Sequence, residues 1–141
     1  MDLVKQWQEI VDERPHFSAS LGIRLRTVTR DEVVAELEIR PEVGGQHGIA
    51  HGGALMAFAD SLGGIGATVN LPEGAATITL ESKNNFVAPA AIGTTVTGRC
   101  EPLHRGRRTS IWQTRITGAD GRLLAQITQT QMVIEPRPTS S

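Results

Sequence analysis

The chain has 141 residues, 39% hydrophobic and 21% charged, with 14 Lys and Arg against 15 Asp and Glu. That length and balance describe one folded domain and exclude a disordered chain. A net charge of -1 also argues against a general nucleic-acid or membrane-surface binder, which would carry a basic excess. The single cysteine, Cys100, excludes an intrachain disulfide and a cysteine-based zinc cluster.

Residues 1–13 set Leu3, Val4, Trp7, Ile10 and Val11 at helical spacing, and Arg14-Pro15 closes this short amphipathic helix. Asp2, Lys5, Glu9 and Asp12 break any signal-like apolar run there. The charge-poor stretch 52–72 holds five glycines with Asp60 at its middle, unlike a membrane span. A reducing, cytoplasmic compartment is therefore expected. Residues 15–21 read as a connector. Residues 22–29 and 32–40 read as strands around the turn Thr29-Arg30-Asp31. In the second, Val33, Ala35, Leu37 and Ile39 alternate with Val34, Glu36, Glu38 and Arg40, the period of a strand with one inward face.

Residues 41–50 form a glycine-rich loop. From His51 or Gly52 to about Val69 the sequence is apolar or small on every side, which predicts a buried helix. Its glycines each cost roughly 1 kcal/mol against alanine. Close backbone approach of another element is the natural compensation. Four strands are predicted next, over 76–87, 94–103, 109–117 and 122–134, separated by turn signals. Helix, two strands, one central helix and a run of strands make an α+β fold with an antiparallel sheet. One helix cannot cover both faces of six strands, so the sheet wraps around it or its other face meets another subunit. The domain is expected over 1–136, with a loose tail at 137–141.

Asp60 is the only ionisable residue between Gly52 and Pro72. Its helical neighbours Met56, Ala57, Gly63 and Gly64 offer no positive charge. If the helix is buried, desolvation makes this carboxylate more basic, as a general base requires. The alternative is that Asp60 marks the one exposed stripe of the helix. His51-Gly52-Gly53 stands at the helix start, where unpaired backbone N–H groups and the helix dipole favour developing negative charge. The alternative there is an ordinary loop-to-helix junction with His51 capping it. A metal held by His47 and His51 is the rival use of the histidines, but the loop does not read as helical and contains no HExxH. Gly63-Gly64-Ile65-Gly66 lies within a helix and is no dinucleotide fingerprint. No cofactor or metal is expected.

Gly52 and Asp60 are eight residues apart, about 12 Å along a helix axis. A base and an oxyanion donor must both reach one carbonyl, within roughly 3 Å each. Two chains with antiparallel central helices achieve this, so a homodimer with shared sites is the expected minimal unit. His104-Arg105-Gly106-Arg107-Arg108 places three arginines in a turn between strands, suited to the phosphates of a small ligand or simply exposed. Thr79, Asn84 and Asn85 follow the helix and point to a site or to solvent.

These motifs together resemble the PaaI-type hotdog-fold acyl-CoA thioesterases. The likeness rests on His51-Gly52-Gly53 with Asp60 nine residues after the histidine, and on residues 79–89, which end in an aromatic–x–x–Pro at Phe86 and Pro89. The turn 104–108 and residues 120–125 with Thr128 and Thr130 agree as well, and the likeness covers about residues 20–134. The resemblance implies a curved antiparallel sheet of about six strands around one central helix, paired into dimers and often tetramers. It implies hydrolysis of acyl-CoA to free acid and coenzyme A without a metal, on an aryl, phenylacetyl or short-to-medium-chain acyl group. Carried over by position, Asp60 is the general base or nucleophile and the N–H of Gly52 polarises the thioester carbonyl. His51 helps shape that loop, Thr79 helps place the attacking water, and Gly53 and Asn85 contact substrate. His104, Arg105, Gly106, Arg107 and Arg108 meet the phosphates. The family usually carries Asn or Gln six residues before the histidine. Here that position is Gly45, and the neighbouring Gln46 is the candidate amide. A non-catalytic acyl-CoA binding protein or sensor, or a hotdog hydratase, would use the same pocket.

Overall fold

The computed structural model describes residues 2–137; the expected tail beyond Arg137 lies outside the described residues. Helix α1 (Leu3–Val11) starts where the Asp2 carboxylate accepts from the Lys5 N–H and ends ahead of Pro15. The expected connector instead contains a short helix, α2 (Phe17–Leu21), stopped by Gly22 in the left-handed region at φ 78°. Five residues are too few to display an apolar period, so this helix is marked in the sequence only by its terminating glycine. Strands β1 (Arg24–Val28) and β2 (Val33–Glu38) follow, then two 3-10 turns within 41–48.

Helix α3 (Gly52–Val69) is the central element. Strands β3 (Ala76–Phe86), β4 (Thr95–Arg105), β5 (Thr109–Thr117) and β6 (Leu123–Ile134) complete one six-stranded sheet ordered β1-β2-β4-β5-β6-β3, with every neighbouring pair antiparallel. The sheet curves around α3, which packs against β2, β3, β4, β5 and β6. Leu37, Val96, Trp112, Ile116 and Ile127 meet Phe58 and Leu62 in the enclosed core.

The helix glycines admit close neighbours, but these are strand side chains rather than the backbone expected. A β-carbon at Gly66 would stand 2.8 Å from the Trp112 ring, and one at Gly63 would stand 2.1 Å from the Gln129 amide nitrogen. Glycine is required at both sites because strand side chains occupy the volume a methyl would need.

The two edges of the sheet differ. Helix α1 covers β1, and Gln8 ties them by donating to the Ile23 carbonyl and accepting from the Leu25 N–H. At the other edge β3 has no buried residue along its 11-residue length. Ile78, Leu80, Phe86 and Val87 are 48%, 54%, 51% and 60% exposed there. A long uncovered edge with apolar side chains is a template for pairing with another strand.

Candidate active site

Asp60 lies on the one stripe of α3 that faces away from the core, with Met56, Ala57, Ser61 and Gly64. Within one chain its carboxylate is exposed, so the expected desolvation is not met there. The sheet covers only the opposite faces of the helix, formed by Leu55, Phe58, Ala59, Leu62 and Ile65. The stripe is nevertheless poor in charge. Apart from Asp60 it carries glycine, alanine, methionine and hydroxyl side chains.

The carboxylate is not free. Thr79 Oγ1 donates to Asp60 Oδ1 at 2.8 Å, across from β3. Thr79 in turn accepts from Gln131 Nε2 at 2.7 Å, and Gln131 also donates to Gln129 Oε1 at 2.6 Å. Gln129 Nε2 donates to the Ala59 carbonyl at 3.0 Å. A groove of ≈ 330 Å³ opens over this group, walled by Trp7, Gly64, Ile65 and Thr77. The two glutamines did not emerge from the sequence. Their signal was phase: on β6 they continue the buried face of Ala125 and Ile127.

At the start of α3, His51 is the N-cap residue, and its Nδ1 accepts from the Gly53 N–H at 2.8 Å. That bond fixes Nδ1 as the acceptor of the neutral ring and removes Gly53's N–H from use. Ala54 N–H donates to the His51 carbonyl. The N–H of Gly52 has no acceptor among the described residues. It is the orphan donor of the helix start, with the positive end of the dipole behind it. The Phe86 ring lies against it: a β-carbon on Gly52 would stand 3.3 Å from Cζ. Gly52, Leu55, Phe86 and Pro89 line an apolar groove of ≈ 370 Å³.

The loop before the helix folds back on it. Gly44 bridges Ala50, Gly45 lies against the His51 backbone, and His51 N–H donates to the Val43 carbonyl. Gln46 is exposed on this loop, and its amide makes no hydrogen bond among the described residues. His47 occupies the left-handed region at φ 64° inside a 3-10 turn, while His51 caps α3, so the two share no helical face. Among the described residues no group of three or more His, Cys, Asp or Glu side chains is gathered to hold a metal. Cys100 is fully buried, and burial pushes its thiol up to about 12, away from the reactive thiolate.

The basic turn is divided. Arg105 is held by the β1–β2 turn, donating to the Arg30 carbonyl and to Asp31, each at 2.9 Å. His104 lies over Gly106, where a β-carbon would stand 2.6 Å from its Nε2. Arg107 and Arg108 are exposed, with no ion pair among the described residues. The turn adjoins Thr109, which pairs with Met132, which pairs with Ile78. It therefore stands at the Asp60 end of the sheet. Asn85 pairs with Gln126 and faces the opposite side of β3 from Asn84, which pairs with the buried Ile127. In this chain Asn85 is not gathered with Asp60 or Gly52.

The family model described as "Thioesterase superfamily" matches residues 47–125. The 1,4-dihydroxy-2-naphthoyl-CoA hydrolase of Escherichia coli K12 is 32% identical, over 73% of this chain and 75% of its own length. A thioesterase from Haemophilus influenzae superposes with a TM-score of 0.89 over 100% of this chain and 96% of its own, at 23% identity. A thioesterase protein from Streptococcus pneumoniae, solved with coenzyme A, superposes with a TM-score of 0.74 at 25% identity, over 82% of this chain and 88% of its own. Among the described residues no helix is long and apolar enough to cross a membrane.

Proposed function

This chain belongs to the thioesterase superfamily and is a thioester hydrolase, and on that premise we propose that it cleaves an acyl-CoA at a site shared by two subunits. Asp60 of one chain acts with the Gly52 N–H of the other. The observation that carries this reading is the placement of the two groups at opposite ends of the same open edge strand. Asp60 is bonded to Thr79 near the Ala76 end of β3, and Gly52 lies against Phe86 at the other end. Antiparallel pairing of two β3 strands about their middle sets each Ala76 end beside the partner's Phe86 end. The same pairing covers Ile78, Leu80, Phe86 and Val87 and dries the Asp60 stripe. It turns two half-grooves into two clefts in a cytoplasmic homodimer, with tetramers as a further assembly.

In such a cleft the thioester oxygen points at the Gly52 N–H. One oxygen of Asp60 is held by Thr79, and the other accepts a proton from water as that water attacks the carbonyl carbon. Direct attack by Asp60 would use the same position. Negative charge grows on the carbonyl oxygen and is stabilised by the orphan N–H and the helix dipole. The C–S bond then breaks and coenzyme A departs as a thiolate. Thiols titrate near 8.5, so the leaving group needs little help from an acid. Arg107, Arg108 and His104 meet the phosphates of coenzyme A. Arg105 instead braces the turn. The acyl group rests in the apolar groove of Leu55, Phe86 and Pro89, which suits an aryl, phenylacetyl or short-to-medium aliphatic chain.

The test is thiol release from a panel of such acyl-CoA substrates by wild type and Asp60→Ala. We expect turnover on at least one substrate and a loss of about 10²-fold or more in Asp60→Ala, with unchanged folding. Binding of acyl-CoA without release of thiol would favour a sensor. Wild-type turnover in a folded Asp60→Ala protein would overturn the role of Asp60.

A further inference from the structure

We propose that Gln131, held by Gln129, is a positioning residue that sets which way the Thr79 hydroxyl points and so prepares Asp60 for catalysis. This rests on the reading of Asp60 as the base or nucleophile. It goes beyond that reading by assigning a role to two buried amides behind the carboxylate.

The argument starts from burial. Gln129 and Gln131 are each 1% exposed, on a strand face otherwise built from Ala125 and Ile127. Buried amides cost free energy unless fully bonded, and an aliphatic pair would fill the same volume without that cost. Here the oxygen and the nitrogen of each amide find a partner, and the bonds run in one direction. The Ala59 carbonyl only accepts, so the Gln129 NH₂ must face it. Gln129 Oε1 is then turned toward Gln131 and must receive an N–H from it. The second Gln131 N–H goes to Thr79 Oγ1, while Gln131 Oε1 shares the Thr77 hydroxyl proton with the Met132 carbonyl.

With its oxygen already accepting an N–H, the Thr79 hydroxyl directs its one proton to Asp60 Oδ1. The chain therefore begins at the carbonyl of Ala59 and ends on the carboxylate of the next residue of the same helix. It passes through β6 and β3 on the way. Gly63 makes the route possible. Any β-carbon there would stand 2.1 Å from Gln129 Nε2 and 2.6 Å from its Oε1, and would expel the amide from the helix surface. The consequence is a carboxylate with one oxygen anchored and the other free for the reacting water. Geometry of this kind is what turns a nearby acid into an oriented base.

The test measures kcat and KM for Gln131→Met, Thr79→Val, the double variant and Thr79→Ser, with thermal unfolding for each. Gln131→Glu is the second variant in case Gln131→Met does not fold. It keeps the shape, and exchanges the N–H donors for a carboxylate. We expect Gln131→Met to lower kcat about 10-fold with KM unchanged, a fraction of what a whole general base supplies. Thr79→Val should match it, Thr79→Ser should recover activity, and the double variant should be no worse than Thr79→Val alone. Gln131→Glu, whose carboxylate accepts the Thr79 proton, should lose at least as much. Losses that multiply in the double variant, or that follow KM or unfolding temperature, would overturn positioning through Thr79. Wild-type kcat in Gln131→Met or Gln131→Glu, with Asp60→Asn inactive, would overturn this proposal alone. An active Asp60→Asn would overturn the reading beneath it.

Discussion

At Asp60 chemistry and exposure pull in different directions. The carboxylate is the only ionisable group on the long central helix, yet in one chain it faces solvent and one of its oxygens is bonded to Thr79. In the proposed dimer a partner subunit would dry this face without displacing the hydrogen bond. Gly52 offers a sharper residue-scale test, because it is the first residue of α3, where proline is tolerated. The preceding His51 is extended at φ -65° and ψ 132°, as a residue before proline must be. Gly52→Pro therefore deletes the single N–H assigned to the oxyanion. Gly52→Ala adds a comparable β-carbon against Phe86 and keeps the donor. We expect about a 10²–10³-fold loss of kcat for Gly52→Pro and most of the activity retained in Gly52→Ala, measured by thiol release. Equal activity in the two would remove this N–H from the mechanism.

At the scale of elements, α3 was legible because small and apolar residues continue around its whole circumference, and β2 because Val33 to Arg40 alternate strictly. Its glycines announced close neighbours without saying which. Gly66 receives the Trp112 ring and Gly63 the Gln129 amide, partners that lie far along the chain on β5 and β6. Spacing within a helix carries no record of the strand that will face it. The same limit hid Gln129 and Gln131, whose meaning depends on register with Thr79. It also hid the tie between Arg105 and the β1–β2 turn, which leaves Arg107 and Arg108 as the free cations of the basic turn among the described residues. The glycines of α3 should respond unequally to alanine. Gly66→Ala overpacks the core and should cost about 1–3 kcal/mol, read from the midpoint of denaturant unfolding. At Gly64 a methyl meets nothing within 4 Å in its own chain, so Gly64→Ala should cost clearly less than Gly66→Ala.

For the whole molecule, the topology leaves one edge covered and one open. Helix α1 and the Gln8 side chain cover β1, whereas β3 presents Ile78, Leu80, Phe86 and Val87 to solvent. The open edge carries Asp60 toward one end and Gly52 toward the other, about 12 Å apart along the helix. In the proposed dimer one subunit would supply half of each site, and two-fold pairing the remainder. The most direct measurement mixes the two defective chains. Asp60→Ala and Gly52→Pro subunits are unfolded together in equal amounts, refolded, and assayed for thiol release beside each refolded parent. In a mixed dimer one cleft combines both defects, while the other joins an intact Asp60 to an intact Gly52 N–H. Random pairing then restores about a quarter of the wild-type rate from two nearly inactive parents. A mixture whose dimers exchange subunits but whose rate stays at the average of the parents would mean that each chain carries its own site.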